Sequence, residues 1–190
     1  MNASDSKLHD AIRDCSAVLA KTMSGITPGQ LGDRTPCEKF TVAELLDHLG
    51  QTLSSSARAA RKEAQPSEPG AVATSPSDVA ESAKQVVAAW GDASAYEGTT
   101  EFGPGEMPAR FAATITVQEL ALHGWDLATA TSQPFALGEG STKTVLKVVE
   151  EIAEQAGASG AYGPPVPMSA DASAFHRALA ASGRNPEWSA

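Results

Sequence analysis

Apolar residues along this chain recur mostly at helical spacing. Leu8, Ile12, Cys15, Leu19 and Met23 fall three or four apart and predict a helix over about 5–23, with Lys7 and His9 off its apolar face and exposed. Gly25, Pro28-Gly29 and Gly32 end it, and a loop through Arg34, Thr35, Pro36 and Cys37 follows. The second helix has the clearest start. Thr41-Val-Ala-Glu44 reads as a capping box, in which the Thr hydroxyl and the Glu carboxylate each satisfy a backbone N–H of the first turn, and Phe40 and Leu45 are spaced for a hydrophobic staple. Val42, Leu45, Leu46, Leu49 and Leu53 form its apolar stripe; His48 lies within that stripe and Thr52 shares its side one turn on. Residues 63–77, with Pro66, Pro69-Gly70 and several Ser, predict a loop between helices. Ser75-Pro76 opens a third helix with Val79, Ala83, Val86, Val87 and Trp90 inward and Gly91 at its end. Thr99 to Phe102 reads as a short extended piece and Gly103-Pro-Gly105 as a turn. A fourth helix runs from near Pro108 to Thr131. The β-branched stretch Ala113 to Val117 would suit a strand on propensity, but the helical pattern continues through it. Beyond Gln133-Pro134 and Gly138, a fifth helix over about 141–156 turns Val145, Val148, Val149 and Ile152 inward. A Gly- and Pro-rich loop starts at Gly160. A short last helix over about 171–181 buries Phe175 and Leu179, with Gly183 suited to its C-cap.

These elements make the chain all-α. The expectation is one domain over 1–190, with the first four helices in an antiparallel bundle, helices two and four adjacent, and further helices at the C-terminal side. The chain is long enough for a real core, and abundant Ala with only 5% aromatics favours close-packed helices. The net charge of −9 argues against a nucleic-acid partner, which needs clustered Lys and Arg. The densest basic run, Arg58, Arg61 and Lys62, reads as a solvated helix end. Cys15 and Cys37 are far apart and outside any Cys-x-x-Cys spacing, which argues against a disulfide scaffold or a thiolate zinc site. The start has no apolar signal core, and no run of eighteen apolar residues occurs, so a cytoplasmic protein without a membrane span is expected.

The candidate chemistry sits in the fourth helix. Glu119 and His123 are four apart and Asp126 three further on, so all three point one way. On an outer face they would be a solvated stripe or a helix-surface hydrogen bond. In a core they need a common partner, and a metal ion is the obvious one. His48 on its own reads as a core histidine or a ligand. With Glu119 and His123 it completes a two-His, one-carboxylate set drawn from two facing helices. Three protein ligands leave open positions for water, substrate or a thiol. Such donors suit Zn²⁺ first, then Fe²⁺ or Ni²⁺. Asp126 has two readings: proton transfer, as a catalytic group, or holding a ligand imidazole from behind. A nucleophilic role for Cys37 is the weaker idea, since no His is near it in sequence, and a buried or helix-entry Cys is the alternative. His176 has no acidic partner at ligand spacing and reads as structural.

Two segments carry a resemblance. Thr35-Pro-Cys-Glu-Lys-Phe-Thr-Val-Ala-Glu-Leu-Leu-Asp-His48-Leu and Glu119-Leu-Ala-Leu-His123-Gly-Trp-Asp-Leu-Ala128 resemble the signatures of the mycothiol-dependent maleylpyruvate isomerase-like family, within the DinB-like metal-binding four-helix bundles. The close, Asp171 to Trp188, is similar to the end of an actinobacterial branch of it. The resemblance implies a DinB-like bundle, zinc ligands at His48, Glu119 and His123, an acidic active-site position at Asp126, and mycothiol as cosubstrate. The isomerase proper looks longer, with a separate C-terminal domain contributing to its site. The expectation is therefore a metal-dependent, thiol-using enzyme, of S-transferase or isomerase type, rather than one acting on maleylpyruvate itself. Its partners would be a small thiol and a small electrophile, with the oligomeric state open and a homodimer among the options. A non-catalytic metal- or ligand-binding module and a structural helical protein with an empty polar pocket are the alternatives. Thiol turnover separates the enzyme from the module, and bound metal separates both from the structural protein.

Overall fold

The computed structural model describes residues 1–66, 74–103 and 105–189. Pro69-Gly70 of the expected loop and Pro104 of the expected turn lie outside these residues. Four long helices carry the structure: α1 (Ala3–Gly25), α2 (Val42–Ala60), α3 (Pro76–Ala89) and α4 (Ala109–Ala130). α5 (Glu139–Ala158) packs on α1 and α4, and α6 (Ala174–Ala181) packs on α5. Among the described residues no helix is long and apolar enough to cross a membrane.

The local signals act as the sequence predicts. Both halves of the capping box form at Thr41, with the Glu44 carboxylate 2.8 Å from the Thr41 backbone nitrogen. A second box forms at Ser75, where Asp78 plays the part of the Glu and Pro76 takes the first helical position, whose N–H would have no partner in any case. The expected extended piece is strand β1 (Thr99–Phe102). The residues before Pro108, expected only as a turn and helix approach, form its antiparallel partner β2 (Gly105–Pro108). Gly103 at the bend has φ +61°, a backbone conformation that favours glycine. The β-branched stretch in α4 stays helical, and two of its hydroxyls are absorbed by it: Thr114 and Thr116 donate to the carbonyls of Arg110 and Ala112.

Helix directions follow from the cross-links. His48 meets Glu119 while Ser56 meets Thr116, so α2 and α4 are antiparallel, and the two helices expected to be adjacent are in contact. Arg110 pairs with Asp5 at the start of α1, and Gln133 donates to Thr22 near its end, so α1 and α4 run the same way. α1 and α3 form the other antiparallel pair, with Gly91 beside His9. The core lies where these four helices face one another and includes Ile12, Leu19, Leu45, Leu49, Val86 and Trp90.

α4 is the central element. From Thr116 to Ala128 every residue is buried, because α1, α2 and α5 all lean on this helix. A helix with no solvent face has to find partners inside the protein for any charge it carries.

One expectation about exposure changes. His9 is half-buried, and its Nδ1 has no hydrogen-bond partner among the described residues, because α3 ends against it. Arg61 and Lys62 are exposed, as expected of a solvated helix end, and Lys62 also donates to the backbone carbonyls of Ala95 and Glu97. His176 is exposed, and its backbone N–H donates to the Ser173 hydroxyl that caps α6.

Candidate metal centre

The helical repeat puts Glu119 and His123 on one side of α4, and α2 brings His48 to meet them. The Nε2 atom of His48 lies 2.9 Å from Glu119 Oε2, and the Nε2 of His123 lies 3.5 Å from the same oxygen. The ligand atoms of the three residues all fall within 4.8 Å of one another. Phe40 stacks on the His48 ring at a centroid distance of 5.1 Å and meets the His123 ring edge-on at 6.3 Å. The residue expected to staple the entry of α2 thus also roofs both imidazoles.

Asp126 stands behind His123. Its Oδ2 is 2.9 Å from His123 Nδ1, and its side chain is 0% exposed. Arg184, from the chain after α6, grips the same carboxylate with two prongs: Nε is 2.9 Å from Oδ1 and Nη2 is 2.8 Å from Oδ2. Glu119 has its own support. Gln118 Nε2 donates to Glu119 Oε1 at 2.6 Å, and the Tyr162 hydroxyl donates to Gln118 Oε1 at 2.6 Å.

The electrostatics follow from burial and these partners. Burial alone would push the Glu119 carboxyl up. The adjoining His123 and His48, when charged, and the bond from Gln118 outweigh burial and hold it at about 2. Burial likewise opposes ionisation of Asp126, and Arg184 together with the bond to His123 keeps it below the usual carboxylate range. An ionised Asp126 can only accept, so the proton of a neutral His123 sits on Nδ1. That leaves the His123 Nε2 lone pair facing a carboxylate oxygen, acceptor against acceptor. A positive charge between the two relieves this, either a proton or a metal ion. The convergence of a second Nε2 on the same oxygen suits a metal. A tetrahedral ion with bonds of about 2.0–2.2 Å holds its ligand atoms about 3.3–3.6 Å apart, so the observed 2.9 and 3.5 Å fit after small adjustments. The donor set, two imidazole nitrogens and one carboxylate, is one that zinc accepts.

A cavity of about 680 Å³ opens beside His48 and Glu119 and runs along α2 toward the hairpin. Gln51, Thr52, Ser55 and Ser82 give it a hydroxyl- and amide-rich wall; Phe102 and Ile115 give it an apolar one. His48, with 31% of its side chain exposed, is the ligand candidate nearest solvent. Asp126 does not line this cavity.

The structure therefore brings together the four residues singled out in the sequence, His48, Glu119, His123 and Asp126. It also adds a neighbour. Cys37, which has no His near it in sequence, lies with its sulfur within 4.8 Å of the ligand atoms of His123 and Asp126. Burial pushes its thiol pKa up and Asp126 adds to this, which disfavours the nucleophilic thiolate. Sequence reasoning missed Arg184, Tyr162 and the role of Gln118. A buried Asp on an all-round buried helix demands a cation, but nothing local says which of the chain's cations answers.

Residues 12–128, more than half of the chain, match the family described as the mycothiol maleylpyruvate isomerase N-terminal domain, and the chain belongs to that family. An uncharacterised protein of Mycobacterium tuberculosis, found in two strains, is 29% identical over 126 residues. The match covers 66% of this chain and 66% of the relative's own length, just under two thirds of the latter. Among solved structures, the crystal structure of the mycothiol-dependent maleylpyruvate isomerase is similar with a TM-score of 0.57 at 16% identity, over 81% of this chain and 72% of that one. A histidine-to-alanine variant of the same protein gives the same TM-score and coverage at 14% identity. At these identities the likeness is one of fold.

Proposed function

We propose that this protein is a metal-dependent enzyme that uses a low-molecular-weight thiol, mycothiol by family membership, for thiol transfer to, or isomerisation of, a small electrophile. The observation that carries the reading is the meeting of two imidazole nitrogens on one carboxylate oxygen, with His48 and Glu119 in the wall of a cavity. His48, Glu119 and His123 would hold the metal, zinc first. Bound there, the ion supplies positive charge that favours the thiolate form of a coordinated thiol.

The chain's own groups do the rest. Glu119 offers one oxygen to the centre, the other being held by Gln118. Asp126 fixes the His123 ring with Nε2 facing inward. Of the two roles open to Asp126 in the sequence, holding the imidazole is the better supported, because a fully buried carboxylate with both oxygens engaged has no route to a substrate proton. Phe40 stacks on the His48 ring and meets the His123 ring edge-on, and so covers one side of the pair. The hydroxyl and amide wall of the cavity suits the polar body of a thiol cosubstrate, and the apolar wall suits an electrophile. We take the chain as one domain over 1–190 working in a reducing cytoplasm, in keeping with two unpaired cysteines.

The test is metal analysis of freshly purified protein, followed by thiol consumption with mycothiol and a panel of electrophiles. One bound divalent ion per chain and metal-dependent loss of thiol are expected. Metal without turnover would favour a binding module, and protein that neither carries nor takes up metal would refute the centre.

A further inference from the structure

The family match ends at residue 128, yet two side chains from beyond it reach the centre. Each touches a residue that in turn touches one of the proposed ligands. Arg184 holds Asp126, which holds His123; Tyr162 holds Gln118, which holds Glu119. Both are buried and come from the stretch between α5 and the chain's end, Tyr162 before α6 and Arg184 after it.

We infer that Arg184 and Tyr162 are positioning residues of the centre, so that the segment after α5 is a working part of the site and not an appendage to the bundle. The inference rests on the metal-centre reading above. Its physical basis is that each contact removes one freedom. A carboxylate on a short stem can turn about its last torsion. The two-pronged grip of Arg184 fixes the plane of the Asp126 carboxylate and thereby where Oδ2 meets Nδ1. Gln118 could present either end of its amide to Glu119. The ionised Glu119 only accepts, so Nε2 must face it and Oε1 must face outward, where the Tyr162 hydroxyl donates to it. This engages Glu119 Oε1 and leaves Oε2 as the oxygen the two histidines share, which sets Glu119 up as a one-oxygen ligand.

The experiment uses the full chain and zinc alone, with affinity read by competition against a chelator and the ligand field read from the visible absorption of the cobalt(II) form. Tyr162→Phe removes one hydroxyl. It is expected to weaken zinc binding about 10-fold and Arg184→Lys about 10–100-fold, the usual range for partners that orient a ligand. Both should shift the cobalt bands, which a merely stabilising contact would leave in place. In a Gln118→Ala background, Tyr162→Phe should cost nothing further, since it acts through that amide. If wild-type protein binds zinc and His123→Ala abolishes this, while Tyr162→Phe and Arg184→Lys match the wild type in affinity and spectrum, the inference is overturned and the centre stands. If the wild type binds no zinc, the centre itself fails and the inference with it. Should Arg184→Lys not fold, Tyr162→Phe decides alone, with circular dichroism as its control.

Discussion

Two buried polar clusters lie on the same α2–α4 interface, eight residues apart along α2, or about 12 Å at 1.5 Å per residue. At one, the Trp90 indole N–H donates to Ser56, Ser56 meets Thr116 at 2.7 Å, and Thr116 donates to the Ala112 carbonyl. Since Thr116 spends its proton on the carbonyl, Ser56 must supply the proton between the two hydroxyls. Every donor is used once, and nothing is left over. At the other, two imidazoles and a carboxylate converge, and a neutral His123 tethered to Asp126 sets a lone pair against Glu119. The first cluster is complete as it stands, and the second needs a cation. Burial of polar groups thus says little about function by itself; the balance of donors and acceptors separates a structural network from a site.

The strongest way to break this contrast is to remove a proposed ligand. His123→Ala or His48→Ala should lower metal affinity by more than the roughly 10–100-fold expected for an outer partner. The fold should persist, since the core rests on Leu, Val and Ala. Metal content and far-UV circular dichroism of the same preparations check both halves; full metal retention would sink the assignment.

Asp126→Asn is the next in size. The amide keeps the shape but loses the charge that pairs with Arg184 and His123. Metal affinity should fall by about 10–100-fold. Thiol turnover at saturating metal should fall less than the roughly 10²–10⁴-fold expected if Asp126 moved a proton in the reaction. A large loss of turnover at unchanged affinity would restore the proton-transfer role.

In the complete cluster the outcome should reverse. Ser56→Ala leaves the Trp90 N–H without its acceptor and should cost about 1–3 kcal/mol of stability in a denaturant titration. Its metal affinity should equal the wild type's. A substantial loss of metal binding would mean that the two clusters are coupled.

The finest distinction is pH. Glu119 is held at about 2, below its ordinary 4.5, so its contribution to stability is present above about 4.5 and is lost as pH falls through about 2. The hydroxyl cluster has no titrating group. Metal-free Glu119→Gln should therefore lose stability less steeply than wild type between about pH 4.5 and 2, while Ser56→Ala keeps the wild-type slope. Parallel slopes for wild type and Glu119→Gln would refute the electrostatic account of the centre.

The amino-acid sequence by itself determined what depends on near neighbours. The capping boxes at Thr41 and Ser75 start their helices because a hydroxyl and a carboxylate three residues apart meet the same turn of backbone. The spacing of Glu119, His123 and Asp126 sets them on one face because the helix repeats every 3.6 residues. The need for a partner followed from a polar trio on a helix that buries its surroundings. His48, 71 residues from Glu119, was offered as a partner by its place in the apolar stripe of a second helix, but its contact with Glu119 had to come from packing. Packing alone brought the others: Arg184 is 58 residues from Asp126 and Tyr162 is 44 from Gln118. No periodicity spans such gaps, and each meeting depends on how whole helices and loops fill the volume around α4. The strand β2, the half-buried His9 and the approach of Cys37 to His123 belong to the same class. So does the choice of ring nitrogen that faces the centre: Nε2 of His123 points inward because a guanidinium from the far end of the chain holds Asp126 against Nδ1.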